Sequence, residues 1–129
     1  MGNAKKFKIL IIEDDERLLE TLCLSVTGLS DLNIETIQAV DGKEGLKMCE
    51  THQFDAVITD YSMPEMDGMQ FIKEFRSKSK NKSIPIIFTS GFFYQLDFKK
   101  NMNMFENVIF IDKPFEFSKV NSFLKLYLK

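Results

Sequence analysis

The chain has 129 residues, enough for one domain around one hydrophobic core and not for two. Hydrophobic residues make up 44% and charged residues 28%, which excludes a disordered chain, and no apolar run approaches the roughly 20 residues that cross a bilayer. With 17 Lys and Arg against 19 Asp and Glu, the net charge of −2 argues against a protein built to neutralise nucleic-acid phosphates. Neither direct nucleic-acid binding nor membrane contact is expected.

The opening Met-Gly-Asn-Ala-Lys-Lys lacks the apolar stretch of a secretory signal, so a cytoplasmic setting is expected. The first element is the apolar run Lys8-Ile9-Leu10-Ile11-Ile12, too short for a helix and too continuous for a strand wetted on one face. Leu18, Leu19, Leu22, Cys23 and Val26 then share one helical face, with Gly28 as a natural stop. Asn33 to Val40 alternates apolar and polar residues, as an outer strand does, and a second helix runs from Asp41-Gly42 to about Thr51. Cys23 and Cys49 lack partners at metal-ligand spacing and read as small buried hydrophobes; His52, the only histidine, reads as a helix-end surface residue.

Ala56-Val57-Ile58-Thr59 is the second apolar run. A third helix from about Met66 to Ser77 points Met69, Ile72 and Phe75 inward, and the basic residues Arg76, Lys78, Lys80 and Lys82 read as its solvated C-terminus. Ile84 to Thr89 is the third run, and a short helix is expected between Phe92 and Lys100. Val108-Ile109-Phe110-Ile111 is the fourth run, and all four runs are expected as central strands covered on both sides. The last helix, Glu116 to Leu128, carries Phe117, Val120, Leu124 and Tyr127 on one face.

Strand and helix alternate five times, which defines an α/β protein with a parallel sheet, right-handed crossovers and helices on both faces. At this length the natural choice is the flavodoxin-like five-stranded order 2-1-3-4-5, as a single domain over residues 1–129 with its core at about 6–128. Such sheets bind ligands at the C-terminal ends of their strands, near the switch point. Glu13, Asp14 and Asp15 follow the first strand, Asp60 ends the third, Thr89-Ser90-Gly91 the fourth and Asp112-Lys113-Pro114 the fifth. Each has a plain reading alone: helix-start acids, turn formers, a solvated lysine. Independent turn residues have no reason to converge on the place the topology designates.

Four stretches carry a resemblance to a known family: Ile-Leu-Ile-Ile-Glu13-Asp14-Asp-Glu, Phe54-Asp55-Ala-Val-Ile-Thr-Asp60-Tyr-Ser-Met-Pro64-Glu-Met-Asp67-Gly68, Pro85-Ile-Ile-Phe-Thr-Ser90-Gly91 and Phe110-Ile-Asp-Lys113-Pro114-Phe115. In order and spacing they resemble the receiver domain of two-component response regulators, over residues 6 to 128. The resemblance implies a switch rather than a turnover enzyme, in which Asp60 accepts a phosphoryl group from a histidine kinase or phosphotransfer protein. It implies Mg²⁺ held directly by Asp14 and Asp60, through water by Glu13, and by the Ser62 backbone carbonyl. Glu13, Asp14 and Asp60 carry −3 against +3 on Mg²⁺ and Lys113, so without metal the crowded carboxylates are expected to raise one another's pKa.

By the same resemblance Lys113, followed by a cis proline, pairs with a phosphoryl oxygen, Ser90 moves to hydrogen-bond it, and Phe110 is the aromatic switch residue. The output is then a two-state surface around the fourth helix, fifth strand and fifth helix, read by an unidentified downstream protein, with phosphorylation-dependent dimerisation left open. Glu13 in place of Asp and Ser90 in place of Thr are common variants. Phe92, Phe93, Tyr94, Phe98 and Phe105 stand where relatives carry small residues, and any left outside the core would form an apolar patch on the output face. Ser62 and Phe92 would border the water that attacks the phosphoryl group, so slow self-dephosphorylation is expected.

Both terminal segments look like natural ends, which favours a stand-alone regulator without an output domain over a receiver excised from a hybrid kinase. A haloacid-dehalogenase-like phosphohydrolase would need a second Asp where Ser62 stands. A flavodoxin-like FMN carrier would need a phosphate loop where Glu13-Asp14-Asp15 stands.

Overall fold

Aliphatic and β-branched residues fill the apolar runs and make them strands, three of the four buried on both faces. The computed structural model describes residues 5–28, 32–63, 65–90 and 106–128, with Ser79 described in its backbone alone. Five parallel strands, β1 (Lys6–Ile12), β2 (Asn33–Ala39), β3 (Ala56–Asp60), β4 (Ile86–Ser90) and β5 (Val108–Asp112), pair in the order 2-1-3-4-5. The helices are α1 (Glu16–Thr27), α2 (Gly42–Met48), α3 (Gly68–Arg76) and α4 (Phe117–Tyr127). The expected helix over 92–100, its aromatic residues and the proposed role of Phe92 lie outside the described residues.

Alternate strand residues feed two cores. Ile9, Ile11, Ala56, Ile58, Ile87 and Ile111 meet α1 and α4 on one face. Leu10, Ile12, Val57, Ile86 and Phe88 meet α3 and the partly buried Leu46 and Met48 of α2 on the other. Cys23 belongs to the first core and Cys49 to the second, so the sheet separates them; both are free thiols. Burial pushes the Cys49 thiol up to about 11.

Three aspartates start helices, as short acceptors suit exposed amides. Asp15 accepts from the amides of Arg17 and Leu18 at 3.0 and 3.3 Å, and Asp41 from that of Glu44 at 2.7 Å. Asp67 forms a reciprocal box with Gln70, both bonds at 2.9 Å. Gly28 does end α1, but at φ −79° rather than in a left-handed turn.

Several expectations need correction. The strand β5 is an edge strand with Val108, Ile109 and Phe110 half-buried, not a fully covered central one, because nothing pairs beyond it among the described residues. The second and third helices are shorter than expected, and Phe71, fully buried, fills the core that Met69 only borders. Tyr127 is 38% exposed while Leu128 is 4% exposed, because the chain leaves the helix at Leu128 and turns that residue inward.

Arg76 is the clearest correction. It is half-buried, and its guanidinium donates to the carbonyls of Asn81 at 2.7 Å, Ile84 at 2.5 Å and Glu106 at 2.7 Å. Buried Asn81 donates in turn to the Phe75 carbonyl at 3.1 Å, and Asn107 to that of Ser83 at 2.8 Å. These bonds tie the end of α3 to the entries of β4 and β5. Among the described residues, no helix is long and apolar enough to cross a membrane.

Candidate functional site

Parallel strands end together, so their last residues meet at one edge. Asp60 closes β3 opposite Thr89, and Ser90 closes β4 opposite Asp112, one residue before Lys113. Glu13 stands one residue past β1, held by its amide on the Ala39 carbonyl at 3.1 Å. The Lys113 amide donates to the Ser90 carbonyl at 2.8 Å, and the Lys113–Pro114 peptide bond is cis.

The side chains converge as the backbone predicts. Carboxylate oxygens of Glu13, Asp14 and Asp60 lie within 4.8 Å of one another. Glu13 is 2% and Asp60 8% exposed, while Asp14 faces solvent. Lys113 Nζ reaches Asp60 Oδ2 at 3.0 Å and Glu13 Oε1 at 3.4 Å. Asp60 Oδ1 accepts from the Ser62 amide at 3.1 Å, and Glu13 Oε2 from the Asp15 amide at 3.2 Å. The acidic triplet is thus divided: Asp15 caps α1, while Glu13 and Asp14 join Asp60.

Burial pushes the Glu13 carboxyl above its ordinary range, and the Asp60 charge adds to this against the Asp15 amide and Lys113. The expected upward shift is found at Glu13, but desolvation rather than mutual repulsion leads it. At Lys113 burial pulls downward, yet the hydrogen bond and charge of Asp60, with those of Glu13, hold the ammonium above the usual lysine value. An all-oxygen donor set with one compensating lysine fits a hard divalent cation. Ser90 is 1% exposed and its hydroxyl makes no hydrogen bond among the described residues, a buried donor at the edge of this pocket.

Phe110 stacks on Phe88 at 5.3 Å, and Tyr61 touches both rings, at 5.2 Å to Phe88 and 5.6 Å to Phe110. Tyr61 is a residue that sequence reasoning did not single out. It follows Asp60 directly, its amide donates to the Thr89 carbonyl at 3.0 Å, and its carbonyl accepts from the Gly68 amide at 2.6 Å. A Cβ on Gly68 would collide with the Tyr61 ring and sit 2.7 Å from Phe88. That close approach is why glycine opens α3, and the aromatic residue after Asp60 was its visible signal.

A doubly wound α/β protein with a buried acidic pocket and a lysine at the switch point is the class that these features define. The family model of the response regulator receiver domain matches residues 9–125, and the chain belongs to that family. A probable chemotaxis protein CheY of Rhizobium etli is 33% identical over 89 residues, 67% of this chain and 66% of that protein. The sensory transduction protein BceR of Bacillus subtilis is 34% identical over 111 residues, 86% of this chain and 45% of that protein. The chain therefore spans less than two thirds of the length of these curated relatives. The chemotaxis response regulator CheY4 of Vibrio cholerae superposes with a TM-score of 0.81 at 25% identity, over 96% of this chain and 100% of that one. Response regulators receive phosphoryl groups from histidine kinases or phosphotransfer proteins; their receiver domains are signalling modules that generally bind Mg²⁺ at an acidic pocket.

Proposed function

We propose that this chain is a cytoplasmic phosphoryl-accepting receiver, one domain in extent, in which Asp60 is the phosphoacceptor and no metabolite is turned over. One observation carries the reading: a nearly buried aspartate whose two oxygens are held by the Ser62 amide and the Lys113 ammonium, beside two further carboxylates. Asp14 and Asp60, the Ser62 carbonyl and, through water, Glu13 would hold Mg²⁺. The ion supplies positive charge that offsets the repulsion between the carboxylates and an incoming phosphoryl group.

An Asp60 carboxylate oxygen attacks phosphorus, a new O–P bond forms, and the donor's P–N or P–O bond breaks with its electron pair leaving on the donor. The Lys113 ammonium donates to a phosphoryl oxygen, and the Ser90 hydroxyl finds an acceptor there. Movement at Ser90 and Asp60 reaches Phe110 through the Tyr61–Phe88–Phe110 contacts, biasing a two-state surface that includes β5 and α4. The phosphoryl donor is a histidine kinase or phosphotransfer protein, and the output is an interaction with a downstream protein.

Beryllofluoride, a phosphoryl mimic, tests the pocket. With Mg²⁺ present, ¹⁹F NMR should show a bound species in the wild type and none in Asp60→Asn. Bound signal in Asp60→Asn, or binding that ignores Mg²⁺, overturns the assignment.

A further inference from the structure

Away from the acidic pocket, a cleft of about 730 Å³ lies between α2 and α3. Its floor is apolar: Phe75 and Cys49 are buried, whereas Leu46 and Met66 are half-buried and leave apolar surface open. Lys43 and Lys47 stand one turn apart on α2, and Lys78 follows the end of α3. Against these three lysines stand two acids, Glu50 and Glu74. Among the described residues, none of these five groups forms an ion pair. A lining with one more positive than negative side chain, and with open apolar surface, is set into a chain whose net charge is −2.

The nine residues of α3 offer a wall about 13.5 Å long, which two to three turns of helix would cover. We propose that this cleft docks an acidic amphipathic helix of a partner protein, with apolar side chains on Leu46 and Met66 and flanking carboxylates on Lys43, Lys47 and Lys78. A partner of opposite charge gains encounter rate and register from such a rim, and affinity from the apolar floor. None of Glu13, Asp14, Asp60 and Lys113 lines the cleft, so this surface stands or falls apart from the phosphoacceptor reading.

The test titrates the ¹⁵N-labelled full chain with a synthetic helical peptide of about three turns, its leucines on one face and glutamates flanking them. A control peptide carries lysine for every glutamate. The acidic peptide should shift amides within 43–50 and 74–81 while the basic one leaves them unmoved. The double variant Lys43→Glu, Lys47→Glu should weaken binding at least tenfold. Both lysines are exposed, and an unchanged far-ultraviolet circular dichroism spectrum checks the fold. Three results overturn the proposal: no shifts at millimolar peptide, equal shifts with the basic peptide, or shifts centred elsewhere. Concentration-dependent shifts in the same amides without peptide would also contradict it, since a second copy would then fill the cleft.

Discussion

The two ends of the sheet differ in how far their buried polar groups are satisfied. At the strand N-termini, the terminal nitrogens of Arg76 meet three carbonyls, leaving Nε alone of that guanidinium without a partner among the described residues, while Asn81 and Asn107 each meet one more carbonyl. At the strand C-termini, Glu13 is buried with its pKa raised, Glu13 and Asp60 share one lysine beside Asp14, and the Ser90 hydroxyl has no partner among the described residues. Each end also has one non-glycine residue in left-handed backbone, Asn107 at φ 56° and Glu65 at φ 65°. Asparagine tolerates that conformation well and glutamate does not. One end is arranged for stability. The other holds unmet polar groups that a ligand can satisfy, which is what a binding site requires.

The largest effect belongs to the satisfied end. Arg76→Ala strands three backbone carbonyls and should lower unfolding free energy by about 3 kcal/mol in urea titrations. Mg²⁺ affinity, measured below the unfolding transition, should not change. A loss under about 1 kcal/mol would show that water replaces the guanidinium freely.

At the other end the sign reverses. A carboxyl whose folded pKa is raised favours the folded state when protonated, so its contribution is present at low pH and lost as pH rises through that value. Glu13→Gln is neutral at every pH and should raise stability by about 1 kcal/mol at pH 7, with no gain near pH 4. The same variant should weaken Mg²⁺ binding. Urea titrations at the two pH values check the first part and calorimetry the second. A destabilised Glu13→Gln at pH 7 would mean that Lys113 compensates this carboxylate fully.

A smaller gain is expected in the loop between β3 and α3. Glu65→Gly removes the steric penalty of left-handed backbone, partly offset by the greater freedom of glycine when unfolded, and should add about 0.5–1 kcal/mol. A neutral or negative result would show that the Glu65 side chain contributes more than its backbone loses.

Much of this could be read from the sequence because the determinants are local. Continuous apolar runs marked the strands, and their alternation with helical stretches set the parallel order. The polar residues after each run named Glu13, Asp14, Asp60, Ser90 and Lys113, since strand ends in such a sheet meet by construction. What could not be read depended on contacts between distant residues. Nothing near Arg76 shows that carbonyls at 81, 84 and 106 surround it, so it passes for one cation in a basic run. Likewise the neighbours of Tyr61, Phe88 and Phe110, come from two other strands. The helix ends drifted by a few residues where capping and tertiary burial overrode periodicity, as Leu128 in place of Tyr127 illustrates.

The most direct measurement is the intact mass of the protein after incubation with acetyl phosphate, with and without Mg²⁺, for the wild type and Asp60→Asn. A gain of one phosphoryl group that requires both Mg²⁺ and Asp60 is the predicted result. A gain that persists in Asp60→Asn, or no gain in the wild type with Mg²⁺ present, would contradict the role assigned to this aspartate.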